Sequence, residues 1–182
     1  MRPIPFVPKD LDEPRELVEA IKSRRGGELL ALDRMLLHSP GYAQGWNTFL
    51  AKVRNELTVP QKLAELAICY VAVLNGANYE LEQHAPLFLA AGGSLQQLDA
   101  LGPRPAVGSQ YESRQESLFE AGEHAVLALT FDMTRNITVA AQTMAEIKAE
   151  FDSEQQVVEI IGVIAAYNMV SRFLVALQVE TE

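Results

Sequence analysis

The sequence predicts an all-α fold, and three observations carry that prediction. Apolar residues make up 48% of the 182-residue chain and aromatics only 7%, so its core is built mainly from Leu, Ala, Val and Ile, which suits packed helices better than aromatic-rich strands. Apolar positions recur at helical spacing, as with Trp46, Phe49, Leu50 and Val53. Glycine-containing stops then punctuate the chain at Gly26-Gly27, Asn75-Gly76 and Gly92-Gly93. The length favours a single domain over residues 1–182, long enough to bury a sizeable core.

Residues 1–9 read as an extended arm, because three prolines block helix in themselves and disfavour it just before. A first helix is expected over Glu13 to Arg24. A second runs from Glu28 to Leu37 and stops at Ser39-Pro40-Gly41. A third covers Tyr42 to Arg54. Thr58-Val-Pro-Gln61 reads as a capping box for a fourth helix, with Pro60 in its first turn. From Leu66 to Leu74 that helix carries no charge, so it is buried on every side, either centrally or under another subunit.

A fifth helix is expected from Ala77 to about Ala91. Pro86 inside it predicts a kink or restart near Glu82, whose carbonyl loses its donor. A short helix over Ser94 to Leu101 follows, then a linker-like loop over 102–114. The remaining helices are expected over Gln115 to Thr130, Thr138 to Glu150 and Ser153 to Gln178. Shifting the chain by 94 residues lays Leu57–Asn75 over Phe151–Met169, with Thr58 on Asp152 and Glu65 on Glu159. That register leaves open an internal helical duplication.

Charge and cysteine content narrow the function classes. The formal net charge is −9, and the densest basic cluster is Lys22-Ser23-Arg24-Arg25, so nucleic-acid binding is not expected. The single cysteine, Cys69, rules out an intrachain disulfide or a Cys-x-x-Cys pair and fits a reducing cytoplasm. The proline-broken N-terminus does not read as a signal peptide. The uncharged stretch between Leu66 and Glu80 is too short, and with Asn75 and Asn78 too polar, to span a membrane. A soluble protein with no membrane partner is expected.

Three residues stand out chemically. Glu80 and His84 are four apart and share a helix face. The Asn75-Gly76 turn folds their helix back against the one bearing Glu65. A carboxylate beside an imidazole fixes its tautomer, and a second carboxylate can hold a proton where burial favours its neutral form, so such a set can move protons on a substrate. The plainer alternative is a surface Glu-His pair of little consequence. Glu65 borders an apolar run, so it either faces solvent at the helix start or is buried with a partner. His38 and His124 have no partner at metal-ligand spacing, and capping of a helix end is the simpler role for His38. No metal site and no phosphate-binding loop are expected.

The stretch Glu65-Leu-Ala-Ile-Cys-Tyr-Val-Ala-Val-Leu-Asn-Gly-Ala-Asn-Tyr-Glu-Leu-Glu-Gln-His84 resembles the signature of the carboxymuconolactone decarboxylase and alkyl hydroperoxidase D superfamily. Leu37 to Trp46 and Ala166 to Leu177 resemble the opening and closing segments of longer members, so the resemblance covers roughly residues 30–180. The redox branch of that family carries a glutamate, a Cys-x-x-Cys pair and a histidine. These positions fall on Glu65, on Ala77 and Glu80, and on His84. The proton-handling ends are present and the dithiol is not.

The resemblance therefore implies an alkyl hydroperoxidase D-like helical bundle of the cysteine-free branch, whose named activity is decarboxylation of a small lactone acid in aromatic-compound breakdown. In that reading the enzyme is a cofactor-free lyase. His84 is its acid/base, Glu65 orients or relays, and Glu80 faces the same pocket. An anionic substrate needs a cation there, for which protonated His84 and Arg172 are candidates; Trp46 and Tyr79 are candidates to wall the pocket. The resemblance also implies a ring-like homo-oligomer, and the apolar surplus of two helices agrees.

Two other readings stay open. One is a non-catalytic helical module that binds a small molecule or partner. The other is a degenerate alkyl hydroperoxidase relative that borrows a thiol, which needs an accessible Cys69.

Overall fold

The computed structural model describes residues 3–102 and 118–181. Helices α1 (Arg15–Arg24), α2 (Ala31–Leu36), α3 (Pro40–Asn55), α4 (Gln61–Asn75), α5 (Asn78–Ala90) and α6 (Leu95–Ala100) form the first stretch. Helix α7 (Ala121–Phe131) runs into a π-helical turn over Asp132–Asn136, and α8 (Ala141–Glu150) and α9 (Glu154–Ala176) complete the chain. No strand occurs among the described residues. The linker-like segment 102–114 lies almost wholly outside them.

Helix α4 is the centre of the bundle. It packs against α5, α7 and α9, and every residue from Glu65 to Ala72 is buried. The absence of charge from Leu66 to Leu74 thus has its physical cause: through Ala72 no side of this helix meets water, and Val73 and Leu74 are half-buried. Truncating a fully buried leucine there, such as Leu66, to alanine costs about 2–5 kcal/mol in lost burial and cavity formation.

At its end Gly76 adopts φ +68°, ψ +30°, the left-handed conformation that glycine enters without strain. The Ala77 N–H then donates back to the Ala72 carbonyl at 2.9 Å, closing the turn and returning α5 antiparallel along α4.

Helix α9 is long and apolar enough, by length and composition, to cross a bilayer. Val157, Ile160, Val163, Ile164, Tyr167, Val170 and Leu174 are nevertheless buried against the other helices, which makes it a core helix of the bundle.

Several local expectations are corrected. Thr58 does not cap α4. Its backbone N–H and its hydroxyl both donate to Glu159 Oε2, at 2.7 and 2.8 Å, so a side chain from α9 takes the place of the capping box. Pro40 does not simply stop α2; it opens α3, where a missing N–H has no cost. Pro86 does not interrupt α5, because Glu82 and Pro86 are both exposed and water can satisfy the freed carbonyl. His38 is no helix cap: its Nε2–H donates to the Pro5 carbonyl at 2.7 Å and ties down the N-terminal arm. The positions paired by the 94-residue shift differ in role, since Glu159 serves the start of α4 while Glu65 turns inward.

Candidate functional site

Glu65, on the second turn of α4, and His84, on the second turn of α5, are both buried, and His84 Nδ1 lies 2.7 Å from Glu65 Oε2. Of the two environments open to Glu65, the chain adopts the buried one with a partner. Because Glu65 accepts from Nδ1–H, the neutral ring keeps its lone pair on Nε2, the nitrogen able to exchange a proton with a substrate. The imidazole is held on another side by Tyr167 of α9, whose ring stands edge-on to it at 4.9 Å between centroids and 85° between planes.

Glu80 lies one turn before His84 and is 2% exposed. Its Oε1 accepts from the Ser171 hydroxyl at 2.8 Å, while its Oε2 is buried without a hydrogen-bond partner. Burial pushes its carboxyl up to about 8, against the opposing effect of the Ser171 bond, so Glu80 is mostly a neutral acid at pH 7. The Tyr167 hydroxyl is likewise buried without a partner, and burial moves its ionisation upward, so it remains an O–H donor.

Glu80, His84 and Tyr167 face a small cavity of about 40 Å3, lined also by Arg25, Leu32, Leu50, Arg54, Tyr79, Gln83, Val170 and Leu174, with Glu65 behind His84 and outside the lining. Since a water needs roughly 10–15 Å3, the space takes a few non-hydrogen atoms. Its wall is graded. Glu80, His84, Tyr79 and Tyr167 are buried, whereas Gln83 is exposed and Arg25 and Arg54 are half-buried. The arginines and Gln83 therefore form the mouth, and the two unpartnered hydroxyl-bearing groups lie deeper.

Glu65, Glu80, His84 and Tyr79 are thus brought to one place. Trp46 is not among the lining residues: it packs with Tyr42 and Phe173, at 5.7 and 5.1 Å between ring centroids, on the α3–α9 seam. Arg172 also lies elsewhere. It follows Ser171 by one residue, about 100° around the helix, and its Nη1 closes on the carbonyl and side-chain oxygens of Asn168 at 3.0 and 2.7 Å. The cations at the cavity are instead Arg25, part of the basic cluster at the end of α1, and Arg54, at the end of α3. Tyr167 and Ser171, four apart in the last helix, are further members that the pattern around residues 65–84 gives no sign of; their own i, i+4 spacing in a charge-free run is the available signal.

No family model matches the chain, and no curated protein matches it significantly by sequence. Solved structures do resemble it. A peroxidase-related protein from Silicibacter sp. superposes with a TM-score of 0.76 at 15% identity, covering 99% of this chain and 90% of that one. A putative antioxidant defence protein AhpD from Agrobacterium tumefaciens gives 0.68 at 16% identity, covering 81% and 95%. The debrominase Bmp8, bound to 2,3,4-tribromopyrrole, gives 0.75 at 14% identity, covering 100% and 94%.

The chain has the AhpD-like fold. Within this fold it carries no cysteine pair, and its one cysteine is ill suited to redox work. Cys69 is fully buried among Leu66, Tyr70, Phe88, Leu101 and Phe119. Burial, with Glu65 and Glu80 adding to it, pushes the thiol up to about 12, so the nucleophilic thiolate is all but absent at neutral pH.

Proposed function

We propose that this AhpD-like protein is an acid/base enzyme of the carboxymuconolactone decarboxylase type, a lyase that uses side chains alone on a small oxygenated carboxylic acid or lactone. The observation that carries this reading is the buried Glu65–His84 pair beside a cavity in which two buried polar groups, Glu80 Oε2 and the Tyr167 hydroxyl, have no hydrogen-bond partner among the described residues. Buried polar atoms without partners are costly in an apolar setting, and a substrate oxygen would satisfy both.

In a decarboxylation the carbon–carboxylate bond breaks and carbon dioxide leaves. The electron pair stays in the conjugated lactone until a proton arrives. His84 protonated on Nε2 delivers that proton, and Glu65 on Nδ1–H stabilises the imidazolium before transfer. Neutral Glu80 and Tyr167 donate to the lactone oxygen on which negative charge develops. The enclosed space admits the reacting group, so the rest of the substrate passes between Arg25, Arg54 and Gln83. Carbon dioxide release from 4-carboxymuconolactone, compared between the native chain and His84→Ala, tests the proposal. Loss in the variant is expected, and its absence from both proteins removes the named reaction.

The thiol-borrowing reading has nothing in its favour beyond the fold, since Cys69 meets neither the cavity nor solvent.

A further inference from the structure

We infer that Arg54, with Arg25 beside it, is the anion anchor of this cavity, so that the substrate presents a carboxylate to the mouth and its reacting carbon to His84. The inference rests on the acid/base reading of the site and adds to it where the substrate's charge is held.

Charge balance at the mouth is the first argument. Arg25 and Arg54 line it, and of the two Arg25 is paired with a buried carboxylate, Asp33, which it shares with Arg24. Arg25 binds Asp33 through Nε and Nη2 at 3.0 and 3.4 Å, and Arg24 reaches the same carboxylate at 3.3 Å and Asn47 at 2.6 Å. Among the described residues Arg54 pairs with no carboxylate. Its Nε–H donates to the Leu50 carbonyl, one turn back on α3, at 3.1 Å, and this fixes the stem while the two Nη groups make no hydrogen bond among the described residues.

That crowding is felt by Arg24, which lies below its ordinary value through burial first and then Arg25, with Arg54 adding and Asp33 opposing. Arg25 is thus paired and Arg54 is not, so the mouth offers a guanidinium with no carboxylate bound to it among the described residues, in a chain of net charge −9. An unpaired arginine fork matches a carboxylate in two parallel hydrogen bonds.

The interior is the second argument. Glu65 stands behind His84, outside the lining of the cavity, and Glu80 is mostly neutral at pH 7, so an entering anion does not meet two bare carboxylates. The Tyr167 hydroxyl feels Arg54 and Arg25 as well as Glu65 and Glu80, which places both arginines within electrostatic reach of the reacting groups. A cation at the mouth with neutral donors inside selects a small monocarboxylate or the carboxylate end of a larger acid, and not a cation or a neutral hydrocarbon.

The test is a titration of the purified chain with acetate, and with acetamide as its neutral counterpart, followed by the arginine Nε–Hε signals in NMR. Acetate is expected to move the Arg54 signal and acetamide to leave it in place. Arg54→Gln should weaken acetate binding about tenfold to a hundredfold, as for loss of a charge-assisted pair. Arg54→Lys, which keeps the charge without the fork, should weaken it less and serves as the second variant where the glutamine form is poorly folded. Equal binding of acetate and acetamide, or acetate binding unchanged in both Arg54 variants, overturns the anchor. Binding is read apart from turnover. Acetate binding that depends on Arg54 in a chain without turnover keeps the anchor and removes the reaction; decarboxylation unaffected by Arg54→Gln overturns the anchor and keeps the reaction.

Discussion

His84 Nδ1 and Glu65 Oε2 meet at 2.7 Å between two antiparallel helices, with both side chains buried. A buried pair of this kind cannot lose one member cheaply. Glu65→Ala leaves an imidazole N–H unsatisfied and is expected to destabilise the fold by roughly 1–3 kcal/mol. Glu65→Gln keeps a hydrogen-bond acceptor and should cost less stability while lowering turnover markedly, because the imidazolium loses its counter-charge. Urea unfolding and kcat measured on both variants separate the two effects.

Glu80 makes stability depend on pH. In the folded chain it keeps its proton up to about pH 8, whereas an unperturbed glutamate releases it near 4.5. Between those values the folded state binds the extra proton, so this contribution is complete below about pH 4.5 and is lost as pH rises through 8. The loss is on the order of 5 kcal/mol. Glu80→Gln cannot titrate and should flatten that part of the profile. Urea midpoints at pH 5, 7 and 9 check this, and equal slopes in both proteins would refute it. Turnover should also fall above about pH 8, as the neutral donor ionises.

Cys69 should behave as a small core residue. In the folded chain a thiol reagent should label it orders of magnitude more slowly than in denaturant, and Cys69→Ala should leave turnover unchanged. Rapid labelling of the folded chain would reopen thiol chemistry.

Glu159 carries a tertiary cap. Through one carboxylate oxygen it accepts from the N–H of Thr58, the Thr58 hydroxyl and the N–H of Val59, just ahead of α4. Glu159→Ala is expected to cost about 1–2 kcal/mol, in line with loss of a helix cap. Thr58→Ala, which leaves the two backbone bonds in place, should cost less. Thermal unfolding of the two variants checks that order.

Much of this arrangement is legible in the sequence because it is local. The charge-free α4, the Gly76 turn and the four-residue step from Glu80 to His84 together bring Glu65 beside His84. What is not legible depends on distant segments. The group that caps α4 lies 101 residues from Thr58. Arg54 and Tyr167 reach the cavity only because α9 packs on α5 and α3 packs on α9, and neither residue lies in the 65–84 stretch. Helix phase, which a one-residue offset decides, turns Arg172 onto Asn168 and away from this cavity. Pro86 leaves α5 unbroken on a face that meets water, a property set by the bundle and not by the local sequence.

The most direct test of the central claim is carbon dioxide release from 4-carboxymuconolactone by the purified chain, with His84→Ala measured beside it. The account predicts turnover in the native chain and a loss of about 100-fold or more in the variant, the usual scale for a removed acid/base group. No release by the native chain, or equal release by both proteins, would contradict it.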